Sequence, residues 1–166
     1  FKHNLKANQR QMQAKAQRDM SNLVDKDANY SVAINQDLHM VLSHNGKTIV
    51  ITPNGAEHAY NWASISPDGK NIVYYVSGVG CYVCDMYGNN VRYLALDCRA
   101  PQWYDDNTII AMADEDDGQY LTASAIVAYT LDGKRQILVN KEQMALYPYA
   151  AKGQIAFSNA AGEVYI

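Results

Sequence analysis

Cys81 and Cys84 have the spacing, two residues between them, that is typical of redox and zinc motifs. They fall inside a segment that is predicted to be a β-strand, in which residues i and i+3 point to opposite faces of a sheet. A shared metal ion is therefore excluded, and a bridge between the two would be strained. The only other cysteine is Cys98, so no second pair exists to complete a zinc site.

Cys98 offers a different pairing. If Asn89 and Asn90 form a two-residue hairpin turn, the register of the hairpin places Cys81 opposite Cys98. We therefore hypothesise a cross-strand disulfide between Cys81 and Cys98, which requires an oxidising compartment. Free buried thiols are the favoured alternative, because a shift of one residue in the turn removes the pairing.

Other groups that could carry chemistry are an acidic run and four dispersed histidines. Residues 114–118 (Asp-Glu-Asp-Asp-Gly) offer carboxylates for calcium, but their spacing does not fit the twelve-residue calcium loop, so a solvated loop tip is favoured. No Gly-x-Ser-x-Gly elbow and no phosphate-binding loop occurs. We predict no catalytic residue, no metal ligand and no cofactor. The histidines are His3, His39, His44 and His58.

Length and charge limit the class of protein. A chain of 166 residues is long enough to bury the core of one domain. Its net charge of −3 and the absence of a basic stripe predict no nucleic-acid partner. No run of 18 apolar residues occurs, so we also predict no membrane span.

Residues 62–94 contain the structural unit around which the rest of the chain is organised. Ser66-Pro67-Asp68-Gly69 is a turn, because proline presets φ at the second position and glycine accepts a positive φ. β-Branched and aromatic residues at 71–76, 82–86 and 91–96 then predict three strands, with a hairpin glycine at Gly88. A short strand at 61–65 precedes the turn. Four strands joined by tight turns predict one antiparallel sheet.

This unit recurs along the chain. Trp62 is followed by Trp103 and Tyr149 after 41 and 46 residues, and we interpret these three aromatics as equivalent residues that pack between repeats rather than as a sugar-stacking platform. Four strands in a period of about 40–45 residues are typical of β-propeller blades, with a β-sandwich as the alternative. The glycines that end the third strand of successive units are Gly55, Gly88 and Gly133.

The segments SISPDGKNIVYY and CYVCDMYGNNVRYL, followed by APQWYDDNTIIAM, resemble the TolB-type propeller repeat. The resemblance covers roughly residues 30–166 and is best over the unit that contains Ser66, Pro67, Asp68 and Gly69. The next unit departs from it, with Tyr104-Asp105-Asp106-Asn107 in place of Ser-Pro-Asp-Gly. The resemblance implies a secreted protein of the bacterial cell envelope, periplasmic or extracellular.

The expected architecture is all-β: propeller blades of four-stranded antiparallel sheets after an N-terminal helical segment. Residues 1–29 carry six basic and three acidic residues and a thin apolar stripe, which predicts a weakly amphipathic helix. We expect blades at about 30–60, 61–98 and 100–140, and an incomplete one at 145–166. The fourth strand of the first blade would be residues 56–60. Because an open ring leaves exposed edges, we expect a longer polypeptide, or a homodimer if the chain is complete.

The predicted function is non-catalytic binding of a protein, peptide or other ligand in the cell envelope. It rests on the resemblance to TolB-type propellers and on the lack of a catalytic motif. The alternative is the access-gating propeller of a larger hydrolase similar to prolyl oligopeptidase, whose catalytic domain would lie outside these residues.

Overall fold

The computed structural model describes residues 29–166, which form four sheets. Sheet 1 contains β1 (Ser31–Ile34), β2 (Met40–His44) and β3 (Lys47–Ile51). Sheet 2 contains β4 (Tyr60–Ile65), β5 (Asn71–Val76), β6 (Gly80–Asp85) and β7 (Arg92–Ala95). Sheet 3 contains β8 (Arg99–Trp103), β9 (Thr108–Asp116), β10 (Leu121–Thr130) and β11 (Arg135–Val139). A 3₁₀ turn at Lys141–Gln143 leads to sheet 4, with β12 (Leu146–Ala151), β13 (Gln154–Ser158) and β14 (Val164–Tyr165).

Each strand pairs in antiparallel fashion with the next strand of its sheet in chain order. The predicted all-β class is therefore confirmed. Sheets 2 and 3 have the four antiparallel strands that were expected of each complete unit, whereas sheet 1 has three. The helical segment expected at residues 1–29 lies outside the described residues, apart from Asn29. Within residues 29–166, no helix has the length and apolarity that a membrane crossing requires.

Sheet 2 is buried on both faces, which explains its almost continuous apolar sequence. In β5, Ile72 and Tyr74 belong to a cluster shared with sheet 1, whereas Val73 and Tyr75 belong to a cluster shared with sheet 3. Successive residues of a strand point to opposite faces, so a strand covered on both sides needs apolar residues at every position. Sheets 1, 2 and 3 therefore pack face to face with two cores between them.

The turn between β4 and β5 is held by side chains as well as by its backbone. The Ser66 hydroxyl donates to the Asp68 carboxylate at 2.6 Å and accepts from the Asn71 amide at 2.9 Å. Gly69 has φ +72°, and its amide donates to the Ser66 carbonyl at 2.9 Å. Pro67 occupies the second turn position, where it needs to donate no hydrogen bond.

Gly88 and Gly133 occupy matching turns before the last strands of sheets 2 and 3. Gly88 donates to the Asp85 carbonyl and Gly133 to the Thr130 carbonyl, each at 3.0 Å. Their φ angles are +76° and +91°, a region that glycine enters without steric cost.

The fourth strand predicted at residues 56–60 is wrong. Residues 52–59 form successive turns, and Tyr60 is the first residue of β4 in the next sheet. The Gly55 amide donates to the Thr52 carbonyl at 2.9 Å and the His58 amide to the Gly55 carbonyl at 3.4 Å. These local hydrogen bonds use backbone groups that a strand would offer to a neighbour.

Candidate functional site

The first strands of sheets 2, 3 and 4 each contain a β-bulge at an equivalent position. The pairing register shifts in β4, β8 and β12, and each shift includes one residue other than glycine with a positive φ. These residues are Trp62 (φ 49°), Ala100 (φ 47°) and Tyr147 (φ 49°). A positive φ costs of order 1–3 kcal/mol for a bulky residue. Such a conformation persists only where the surrounding structure holds it in place.

Contacts between sheets hold these three strands side by side. The Trp103 indole N–H of β8 donates to the Ser64 carbonyl of β4 at 2.9 Å. The Tyr104 hydroxyl, just after β8, donates at 3.2 Å to the carbonyl of Gly153, which follows β12. β4 contacts β8, and β8 contacts β12. The three bulges therefore follow one another across neighbouring sheets.

The bulges present aromatic side chains to solvent. Trp62 is 44% exposed, Tyr147 is 67% exposed, and Tyr149, two positions beyond its bulge, is 62% exposed. The equivalents of Tyr149 are Ser64 in β4 and Gln102 in β8, since each forms the first pair after the register shift. We call this set the first-strand surface; it comprises Trp62, Ser64, Ala100, Gln102, Tyr147 and Tyr149.

The chemistry of the first-strand surface is that of recognition. It carries aromatic faces, hydroxyl groups and one amide, and none of its residues is charged. Tyrosine and tryptophan combine a large apolar face with a polar tip, which is why they are enriched at interfaces. Trp62 also packs edge-on against Tyr75, with ring centroids 5.4 Å apart, so its ring has a rigid support.

The predicted equivalence of Trp62, Trp103 and Tyr149 is wrong. Trp62 lies at a bulge, whereas Trp103 lies three positions after the bulge of β8, where it pairs with Ile109. Trp103 is 8% exposed and packs in the core between sheets 2 and 3, whereas Trp62 and Tyr149 are exposed. Only Trp103 fills the packing role that was predicted for all three.

The repeat pattern alone does not predict these bulges, but two prolines in the sequence indicate them. Pro101 follows Ala100 directly, and Pro148 follows Tyr147, both within strands. Proline cannot donate to a neighbouring strand, so within sheets it is confined to edge strands, strand starts and bulges. Two prolines in corresponding strands therefore indicate an irregular edge strand at each place.

The predicted register of the cysteine hairpin is wrong, although the two cysteines are close together. Cys81 lies opposite Ala95 and not opposite Cys98. Cys81 and Cys98 are nevertheless both fully buried in the core between sheets 2 and 3, as free thiols. A hydrogen bond with Cys98, together with burial, raises the pKa of the Cys81 thiol well above its ordinary value. Cys84 lies in the other core, as expected for position i+3 of a strand.

Asp114 of the acidic run, together with His39 and His44, makes structural contacts, whereas His3 lies outside the described residues. Residues 114–116 end β9 instead of lying on a loop, and Asp114 accepts from Arg99 at 2.9 Å. His39 is 2.9 Å from the Ala56 carbonyl, and His44 is 2.7 Å from the Asn29 carbonyl. Among residues 29–166, no group of three histidine, cysteine, aspartate or glutamate side chains could hold a metal ion.

No family model matches this sequence, and no curated protein matches it. The first-strand surface combines three strained bulges, two of which carry an exposed aromatic ring.

Proposed function

We propose that residues 30–166 are blades of a TolB-type β-propeller that binds a protein or peptide, without catalysis, through the first-strand surface. The observation that carries the proposal is the presence of equivalent bulges in three neighbouring first strands, two of which present an exposed aromatic side chain. Bulges re-aim side chains and are over-represented next to functional sites.

The arrangement of the sheets supports the propeller part of the proposal. Sheet 2 packs against sheet 1 on one face and sheet 3 on the other, and the first strands of sheets 2, 3 and 4 contact one another in series. Radial repetition of four-stranded sheets gives this pattern, with first strands towards the axis. A site in the bacterial cell envelope follows from the resemblance of the repeat and belongs to the same proposal.

The binding part of the proposal is tested with peptides selected from a random display library on the whole chain. The informative variants are Trp62→Ala and Tyr147→Ala. Alanine suits both positions, because Ala100 already adopts the same φ at the equivalent bulge. Tyr120→Ala is the matched control, since Tyr120 is 66% exposed but lies outside the first-strand surface.

Loss of a central aromatic anchor reduces binding by about 2 kcal/mol, which is roughly thirtyfold in Kd. We expect this loss for Trp62→Ala and Tyr147→Ala, and no change for Tyr120→Ala. Selected peptides that bind all three variants as tightly as the unaltered chain would overturn the assignment of this surface.

A further inference from the structure

A polar cleft lies between sheets 1 and 2, and none of its lining residues belongs to the first-strand surface. One wall is the segment that follows β3, residues 52–57, and the other is the turn between β6 and β7, residues 87–91. Val50 and Ile51 of β3 complete the cleft, whose volume is about 810 Å³. Pockets for small ligands measure roughly 300–1,000 Å³. We call it the intersheet cleft.

Two buried tyrosines fix the first wall. The Tyr60 hydroxyl accepts from the Asn54 amide N–H at 2.9 Å and donates to the Gly55 carbonyl at 2.8 Å. The Tyr74 hydroxyl donates to Asn54 Oδ1 at 2.7 Å. Burial raises the pKa of both phenols, so both hydroxyls keep their protons at neutral pH. Asn54 Nδ2 makes no hydrogen bond to the described part of the chain and remains a donor for a ligand.

A carboxylate fixes the second wall. Asp85 accepts from the backbone amides of Tyr87 and Asn89, both at 2.9 Å, and from the Asn90 side chain at 2.8 Å. Asn89 Oδ1 is buried and has no hydrogen-bond partner among residues 29–166. An unsatisfied buried acceptor costs roughly 1–3 kcal/mol.

Among residues 29–166, Glu57 is the one charged residue that lines the cleft. Its carboxylate lies over Gly55, where the Cβ of any other residue would overlap it. Gly55 has φ +111°, a conformation that L side chains rarely adopt, so position 55 is doubly restricted to glycine. The local charge of the cleft is negative, which favours a cationic group on the ligand.

We propose that the intersheet cleft binds an extended peptide segment that carries a lysine or arginine. Asn54 Nδ2 supplies a donor for a peptide carbonyl, and Glu57 supplies a partner for the cationic side chain. β3 is the last strand of sheet 1, and its second edge pairs with no strand among the described residues, so an extended segment can lie beside it. The aliphatic part of the basic side chain fits the apolar lining at Val50 and Pro53.

The test is an NMR titration of the whole chain, labelled with ¹⁵N, with acetyl-Ala-Lys-Ala-amide. Acetyl-Ala-Glu-Ala-amide is the matched peptide of opposite charge. We expect the lysine peptide to shift the amide signals of residues 52–57 and 87–91 in a saturable way, and the glutamate peptide to bind at least threefold more weakly. Higher salt is expected to weaken the lysine peptide, because exposed charges are screened.

Variants separate the contributions of the wall residues. Glu57→Gln should weaken the lysine peptide about threefold, and Asn54→Ala roughly threefold to tenfold. Glu142→Gln removes the same charge from another exposed position and should leave binding unchanged. Because Glu57 is exposed, its variant is not expected to affect folding.

Three results would overturn the proposal: equal binding of both peptides, unchanged binding by Glu57→Gln, or signal shifts confined to other residues. The proposal does not depend on the first-strand surface. Trp62→Ala should therefore leave the lysine peptide bound as before, so a failure of one site is distinguishable from a failure of the other.

Discussion

Removal of one hydroxyl, by Tyr60→Phe, tests how the segment after β3 is held. The Tyr60 ring lies in the core between sheets 1 and 2, and its hydroxyl joins the Asn54 amide to the Gly55 carbonyl. Phenylalanine keeps the ring and its contact with Tyr74, whose centroid is 5.7 Å away. The substitution therefore removes two hydrogen bonds without opening a large cavity.

The expected loss follows from these two bonds. A hydrogen bond contributes about 0.5–1.5 kcal/mol net to stability, and a buried polar group without a hydrogen-bond partner costs roughly 1–3 kcal/mol. Residues 54 and 55 are half-buried, so water can partly satisfy the Asn54 amide and the Gly55 carbonyl after the substitution. The lower end of both energy ranges therefore applies. We expect the free energy of unfolding to fall by about 2 kcal/mol, which lowers Tm by roughly 4–8 °C for a chain of this size.

Urea denaturation followed by tryptophan fluorescence measures this difference. Tyr93→Phe is the matched control, because the Tyr93 ring is exposed and its hydroxyl makes no hydrogen bond within residues 29–166. The control should stay within about 0.5 kcal/mol of the unaltered chain. A loss below about 0.5 kcal/mol for Tyr60→Phe would refute the reasoning, since the two bonds would then contribute nothing.

Three further predictions concern pH, the contact between sheets 2 and 3, and the cysteines. Burial raises the pKa of Tyr60 from 10.0 to about 12, so the stability that this phenol contributes is complete below pH 10 and is lost as the pH rises towards 12. Urea denaturation at pH 9 and pH 11.5 should show this decline in stability, and Tyr60→Phe should reduce the decline. Trp103→Phe removes the hydrogen bond to the Ser64 carbonyl and part of a ring that packs in the core. It should cost at least about 1–2 kcal/mol in the same assay, and an unchanged midpoint would contradict this role. Refolding with oxidised glutathione should join Cys81 to Cys98, because these two cysteines share one core. Each bridge releases two molecules of reduced glutathione. Peptide mapping that finds Cys84, which lies in the other core, in the bridge would contradict this prediction.

The strands of sheet 2 could be predicted well from the sequence, and the reason is local. The segment predicted at residues 71–76 matches β5, Asn71–Val76, because β-branched and aromatic residues occur at nearly every position between two turns. The turn at Ser66 and Gly69 is likewise encoded by residues that bond to one another. In both cases the information lies within a few residues.

The register of the β6–β7 hairpin could not be predicted in this way. A two-residue turn at Asn89 and Asn90 is a reasonable expectation from composition, but the Asp85 carboxylate binds the backbone amides of Tyr87 and Asn89 and stabilises a wider turn. The wider turn places Cys81 opposite Ala95. A side chain that competes with the strand ladder thus decides the register.

The intersheet cleft could not be predicted from the sequence, since its walls are 30 or more residues apart in the chain. Asn54, Glu57 and Asn89 lie in turn segments of the kind in which polar residues are ordinary. What makes them a candidate site is the packing of sheet 1 against sheet 2, together with the hydroxyl of Tyr74, which fixes one amide. Such a combination has no local signature.

The bulges connect the strain of the fold to its proposed function. Trp62 and Tyr147 each occupy a conformation that costs of order 1–3 kcal/mol, and a regular strand would avoid this cost. A core position could justify the strain by packing, yet both rings are exposed. Ala100 shows that the bulge itself does not require an aromatic residue, because alanine adopts the same geometry. The exposed rings in strained positions are therefore the observation on which the proposed binding role of the first-strand surface rests.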